Sequence, residues 1–316
     1  MIKKLISSRS FQRQAQEGSW IVLGQIAAFL GALVLVRVLT EYLEPSQYGQ
    51  LALGLTIAGL VNQVVMGGLV NGISRFYSIA IEENDLFGYL RDSRRMMKFA
   101  TAVVMAFALM LVVGLNWLGY SAWIELAAAA VLLSVLSGYN ETLSGIQNAA
   151  RQRAIVAFHK GLDAWLKILL AIGMMLWIGI SSTAAVLGYA LSSLMVTVSQ
   201  IFFLRRLVRI KGKSSLTSTN WGRQIWTNSW PYSTWGVFTW AQLSSDRWAL
   251  AHYTSTDEVG SYAVLIQISM VPIIIATGLL TTFIAPIIFQ RVGNTNDHER
   301  VKQAYAMTRN ITIFAM

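Results

Sequence analysis

Eight runs of some twenty or more mostly apolar residues, separated by short polar stretches, constrain this chain more than any other feature of it. They fall at approximately 19–40, 48–71, 99–118, 122–146, 155–179, 183–204, 226–249 and 259–289, and a ninth begins near 304. A helix rises about 1.5 Å per residue, so roughly 20 residues cross a hydrocarbon layer of about 30 Å. Backbone amides in that layer have no water to bond, which leaves only helices or a closed barrel. Barrel strands would alternate apolar and polar side chains, and these runs do not. An all-α, polytopic membrane protein is therefore expected. Only 13% of the 316 residues are charged, against about 25% in soluble domains, so the chain has too little polar surface to fold in water.

The positions of the cations set the expected orientation. Lys and Arg number four in the leader 1–18, five in 75–98, three in 151–160, six in 205–223 and three in 291–302. The intervening loops 41–47, 119–121, 180–182 and 252–258 hold none, and carry Glu41, Glu44, Asp257 and Glu258 instead. The positive-inside bias then puts the N-terminus and every basic loop in the cytoplasm of a bacterial-type inner membrane. A net charge of +10 distributed in this way points to a membrane, with no nucleic acid as partner. The leader is too long for the basic region of a signal peptide and shows no small-residue cleavage site, so the first run is kept as a mature helix. With Leu5, Ile6 and Phe11 among its cations, it suits either an amphipathic helix on the membrane surface or a solvated tail.

A repeat is visible in the polar punctuation. Arg37 precedes Gly49 by 12 residues across the first hairpin, and Arg247 precedes Gly260 by 13 across the seventh. Tyr48-Gly49 and Val259-Gly260 open the runs that follow. Both hairpins leave from the same side, which makes the units parallel with six helices each, an arrangement known in transporters with a substrate site between the halves. The polar segment 205–225 reads as the linker between lobes. Its Gly212-Lys213-Ser214 is no phosphate loop, because Leu207 stands where the upstream glycine is required. His159, His252 and His298 do not cluster and no Cys is present, so no metal or other cofactor is expected.

Several short stretches resemble the polysaccharide-biosynthesis (Wzx-type) flippases, of the superfamily that also holds multidrug MATE exporters and lipid II flippases. They are Val36-Arg37-Val38-Leu39-Thr40, Pro45-Ser46-Gln47-Tyr48-Gly49, Ser74-Arg75-Phe76-Tyr77, Ser245-Asp246-Arg247 and Glu258-Val259-Gly260-Ser261-Tyr262-Ala263. The resemblance implies a MATE-like fold with a complete six-helix N-lobe at 19–204 and a partial C-lobe at 226–316, made of two helices and the start of a third. Such proteins usually have twelve or fourteen spans, which makes a C-terminally truncated sequence the expectation. The implied function is movement of an undecaprenyl-pyrophosphate-linked oligosaccharide, the repeat unit of O-antigen, capsule or exopolysaccharide, by alternating access. No covalent change is involved, so the protein is not expected to be an enzyme. Implied partners are the lipid-linked oligosaccharide, membrane lipid, and a polysaccharide polymerase with its chain-length regulator.

Ionised groups inside hydrocarbon cost at least about 2.5 kcal/mol each on insertion scales, so those present mark a partner or a wet cavity. His159, Lys160, Asp163 and Lys167 fall on one helical face. Glu141 lies at similar depth on the preceding run and could pair with Lys167, while Asp163 and Lys167 could neutralise each other within their helix. Together with Asp246 these form a candidate charge network. Arg37, Arg75 and Arg247 are candidates for holding the pyrophosphate, since two negative charges cannot cross a low dielectric unaided; the alternative is that they snorkel to the headgroups. A MATE-like exporter of cations is the rival function, with Glu141 and Asp163 as its working groups and the net sign of the cavity as discriminator. Pro272 and Pro286 are expected to bend the eighth helix, and Pro231, placed in the first turns of the seventh, is not.

Overall fold

The structure, a computed structural model, describes residues 9–211 and 220–270, together with positions 273, 302, 305, 306 and 309. The described chain is helical almost throughout: α1 Arg9–Tyr42, α2 Pro45–Glu82, α3 Leu86–Trp117, α4 Ile124–Ala149, α5 Arg153–Ile178, α6 Ser182–Lys211 and α7 Trp221–Tyr253. A further helix, α8, is described over 256–270. Six of these, α1 to α6, are long and apolar enough to cross a membrane. The seventh run also folds as one long helix, but its Trp, Ser and Thr content keeps it out of that group. Apart from those isolated positions, the remainder of the eighth run and the ninth, with Pro272 and Pro286, lie outside the described residues.

Helices outlast the apolar runs. The segment 75–98, counted above as one basic loop, is the end of α2 and the start of α3 joined by three residues. Helical bonding saturates the backbone whether or not the side chains are apolar, so nothing stops the helix at the hydrocarbon boundary. The leader likewise enters α1 at Arg9, ahead of the expected boundary at residue 18. Pro231 lies ten residues into α7 and not in its opening turns, because that helix starts at Trp221. It therefore removes an interior amide donor.

Two sets of helices differ in depth. The apolar windows of α2, α4 and α6 are 44%, 44% and 50% buried, whereas those of α1, α3 and α5 are 17%, 17% and 22% buried. The even helices form the centre, and the odd ones turn side chains such as Leu109, Met110, Leu169 and Leu176 outward. Those outward faces suit acyl chains. Small residues set the closest packing, as they must where lipid offers no hydrophobic drive for helix association. Gly24 and Gly31 of α1 rest on Ala157 and Ala164 of α5, so close that an added Cβ would lie 2.9 Å from either alanine. The matching increments of seven residues mean that α1 and α5 run parallel.

Gly49 and Gly260, the two glycines matched in the expected repeat, meet each other. A methyl on Gly49 would overlap the carbonyl oxygen of Thr256, and one on Gly260 would overlap that of Pro45. Each glycine thus faces the residue four places before its counterpart, the reciprocal contact that a local two-fold relation between α2 and α8 requires.

Candidate functional site

Because α1 packs closely on α5, and α4 and α5 both pack closely on α6, while α1 and α4 barely touch, a gap remains between α1, α4 and α5. It is a cavity of about 690 Å³. Helical spacing builds each wall: Gln25, Ala28, Ala32 and Leu35 on α1; Ser137, Asn140, Glu141, Ser144 and Asn148 on α4; His159, Lys160, Asp163 and Lys167 on α5. A smaller space of about 130 Å³ shares Gln25, Asn148 and Lys160 with it and adds Arg153. That space continues the cavity toward the end of the bundle where the basic segments lie. There Arg153 Nη1 donates to Asn148 Oδ1 at 3.1 Å.

Charge is handled differently along this trough. Lys167 Nζ donates to Asp163 Oδ2 at 2.6 Å, an i,i+4 pair within α5. The other carboxylate oxygen of Asp163 accepts from Ser192 Oγ of α6 at 3.0 Å. Glu141 makes no ion pair or hydrogen bond among the described residues and is exposed to the cavity. Lys160 is also exposed and has no such partner. The cavity lining therefore holds two ammonium and two carboxylate groups, and its net sign favours neither an anionic nor a cationic passenger. His159 is nearly fully buried: its Nδ1 sits 2.8 Å from the Ile155 carbonyl oxygen, which can only accept, and its Nε2 lies 3.0 Å from Ser199 Oγ. Both ring nitrogens are thus hydrogen-bonded, and the side chain holds α5 to α6.

The three arginines do not come together. Arg37 continues the exposed stripe Leu23, Ile26, Leu30 and Val34, on the face of α1 opposite the cavity, and reaches Glu41 at 3.9 Å. Arg75 donates to Asn228 Oδ1 of α7 at 2.7 Å. Arg247 lies at the other end of α7, its Nε buried with no partner among the described residues. Its neighbour Asp246 accepts from the Tyr262 hydroxyl at 2.5 Å. Arg75 and Arg247 thus flank the seam where α7 and α8 meet α2, and none of the three arginines lines the cavity. Two tryptophans stitch that seam at one point, Trp240 to the Thr56 carbonyl at 2.8 Å and Trp248 to its hydroxyl at 3.0 Å.

The amides of the lining, Gln25, Asn140 and Asn148, were not among the sequence candidates. Ser137, Asn140, Glu141, Ser144 and Asn148 do recur at helical spacing on an otherwise apolar run, which was the available signal.

Breaking the Asp163–Lys167 pair from one side strands a charge at depth. Lys167→Met is expected to destabilise the protein by about 1–2 kcal/mol, less than a fully buried ion pair would cost because both side chains are partly exposed to the cavity. The double variant with Asp163→Asn is expected to recover most of that loss, as read by thermal unfolding in detergent. A double variant no better than the single one would mean the pair carries no such charge balance.

A family model described as polysaccharide biosynthesis protein matches residues 15–292. A solved structure titled only "protein A" superposes with a TM-score of 0.61, covering 94% of this chain and 69% of that one, at 17% sequence identity. That likeness speaks to the fold alone. No curated protein compared with the chain is similar enough to count as a match.

Proposed function

Because this chain belongs to the polysaccharide biosynthesis protein family, we propose that it is a flippase, moving an undecaprenyl-pyrophosphate-linked oligosaccharide from the cytoplasmic to the periplasmic leaflet of a bacterial inner membrane. The observation that carries this reading is a cavity inside a bundle of apolar helices whose lining brings the amides and hydroxyls of Gln25, Ser137, Asn140, Ser144 and Asn148 together with balanced charges. A glycan leaving water loses hydrogen bonds at every hydroxyl, and such a lining replaces them. The prenyl chain has no need of the cavity and stays in lipid. With the basic segments in the cytoplasm, the Arg153 and Lys160 end of the trough faces the leaflet where the substrate is made. These two cations are placed to receive the diphosphate. Arg75 and Arg247 lie on the seam that parts when one lobe rocks against the other, and they would meet the diphosphate later in the cycle. Arg37, on the far face of α1, is assigned to the headgroups. The polymerase and chain-length regulator would take over the product in the periplasmic leaflet.

One observation favours the exporter reading, namely the carboxylate of Glu141 facing the cavity without an ion-pair partner. The discriminating experiment is complementation of a flippase-deficient strain. The wild-type gene is expected to restore surface polysaccharide, the Lys160→Ala, Arg153→Ala double variant to restore at least about tenfold less, and Arg37→Ala to match the wild type. Failure of the wild type to restore polysaccharide, together with efflux of a cationic dye, would favour the exporter. Full restoration by the double variant would remove the diphosphate assignment.

A further inference from the structure

We infer that the glycan admitted by the α1–α4–α5 cavity carries no carboxylate, so that the substrate is a neutral lipid-linked oligosaccharide and not one built with uronic or similarly acidic sugars. The inference rests on the flippase reading and deepens it. An acidic sugar brought out of water needs a cation to replace its hydration, because a lone carboxylate in a poorly solvated site costs several kcal/mol in general. The cavity has no cation to spare beyond its basic end. Lys167 is held by Asp163 at 2.6 Å within the same helix. Lys160 lies at the end shared with Arg153, where the diphosphate of the lipid carrier would sit. Among the Ser137, Asn140 and Ser144 side chains the charge without a hydrogen bond or ion pair is negative, Glu141, on which Lys167 and Lys160 act only across the cavity. Hydroxyl and N-acetyl groups match those neighbours as donors and acceptors, whereas a carboxylate would meet Glu141 as a like charge.

The test uses the protein in proteoliposomes with two undecaprenyl-pyrophosphate tetrasaccharides of equal length, one of neutral hexoses and one in which two hexoses are replaced by glucuronate. Transfer is read by oxidation of the exposed glycan with a membrane-impermeant reagent. The neutral substrate is expected to cross at least about tenfold faster, the effect of a like charge several ångströms away at an effective dielectric near 20. Glu141→Gln is expected to raise the rate for the acidic substrate and shrink that ratio, and Lys160→Gln is not. An acidic substrate crossing as fast as the neutral one in the wild-type protein, or faster, overturns the inference while leaving the flippase reading in place. That comparison stands even if the Glu141 variant fails to fold. Transfer of neither substrate overturns the flippase reading, and the inference with it.

Discussion

Trp221→Ala is expected to lower the unfolding free energy by about 3–5 kcal/mol, the range for deleting a fully buried aromatic side chain. Trp221 opens α7 with no exposed surface. Its ring meets Phe76 and Tyr89 edge-on, with centroids 6.4 and 6.0 Å apart. Its Nε1 donates at 2.9 Å to Asp85 Oδ2. Asp85 is itself buried and caps α3, accepting from the Gly88 amide at 3.1 Å. The alanine variant therefore leaves both a cavity and a carboxylate short of one hydrogen bond. Trp221→Phe keeps the aromatic packing and loses only the donor, so its cost should stay near about 1–2 kcal/mol. Thermal unfolding of the three proteins in one detergent decides the matter. An alanine variant within about 1 kcal/mol of the wild type would mean that this anchor does not hold α7 to the α2–α3 turn.

Trp221 also shows where reading the chain as a sequence stops. Length and hydropathy suffice for α1 to α6, because hydrocarbon imposes one requirement, a saturated backbone under apolar side chains, on every span. The same requirement says little about which helices touch. Most tryptophans would be read as interfacial anchors, and Trp117 and Trp177, both largely exposed, suit that role. Trp221, Trp240 and Trp248 instead use their indole donors on Asp85 and Thr56. Nothing in their sequence surroundings separates the two groups, since the difference lies in what faces them. The five-residue π-turn Asn62–Met66 within α2 is equally silent in sequence; there Asn62 Nδ2 donates across to Ser137 Oγ of the cavity wall at 2.8 Å. The charged face of α5 was legible from its spacing. Its partner on α4 was legible only in part: Glu141 shares the cavity with Lys167, but the ion pair that forms is the local one to Asp163. An i,i+4 pair is already in place within the helix, whereas a pair between helices has to span the cavity.

At the opposite end of the bundle from Trp221, Gly49→Val is expected to cost about 3 kcal/mol, the upper end of the range for overpacking. Most overpacked sites relax by turning a side chain, but here the obstruction is backbone, the carbonyl oxygen of Thr256. Relief requires that α2 and α8 move apart. Gly260→Val meets the Pro45 carbonyl in the same way, and an added Cβ there would also lie 3.1 Å from the Gly49 amide nitrogen. Because both substitutions force the same separation, the second finds the helices already parted. The double variant should therefore fall short of the sum of the single losses by at least about 1 kcal/mol, where distant sites would add. Parting α2 from α8 also strains the bond from the Tyr48 hydroxyl to Gln267 Oε1, 3.1 Å in the intact protein. Tyr48→Phe should accordingly cost less in the Gly49→Val background than in the wild type. Strict additivity of the two glycine variants would show that α2 and α8 do not bear on each other at this point, and with it the reciprocal contact of Gly49 and Gly260 would be lost.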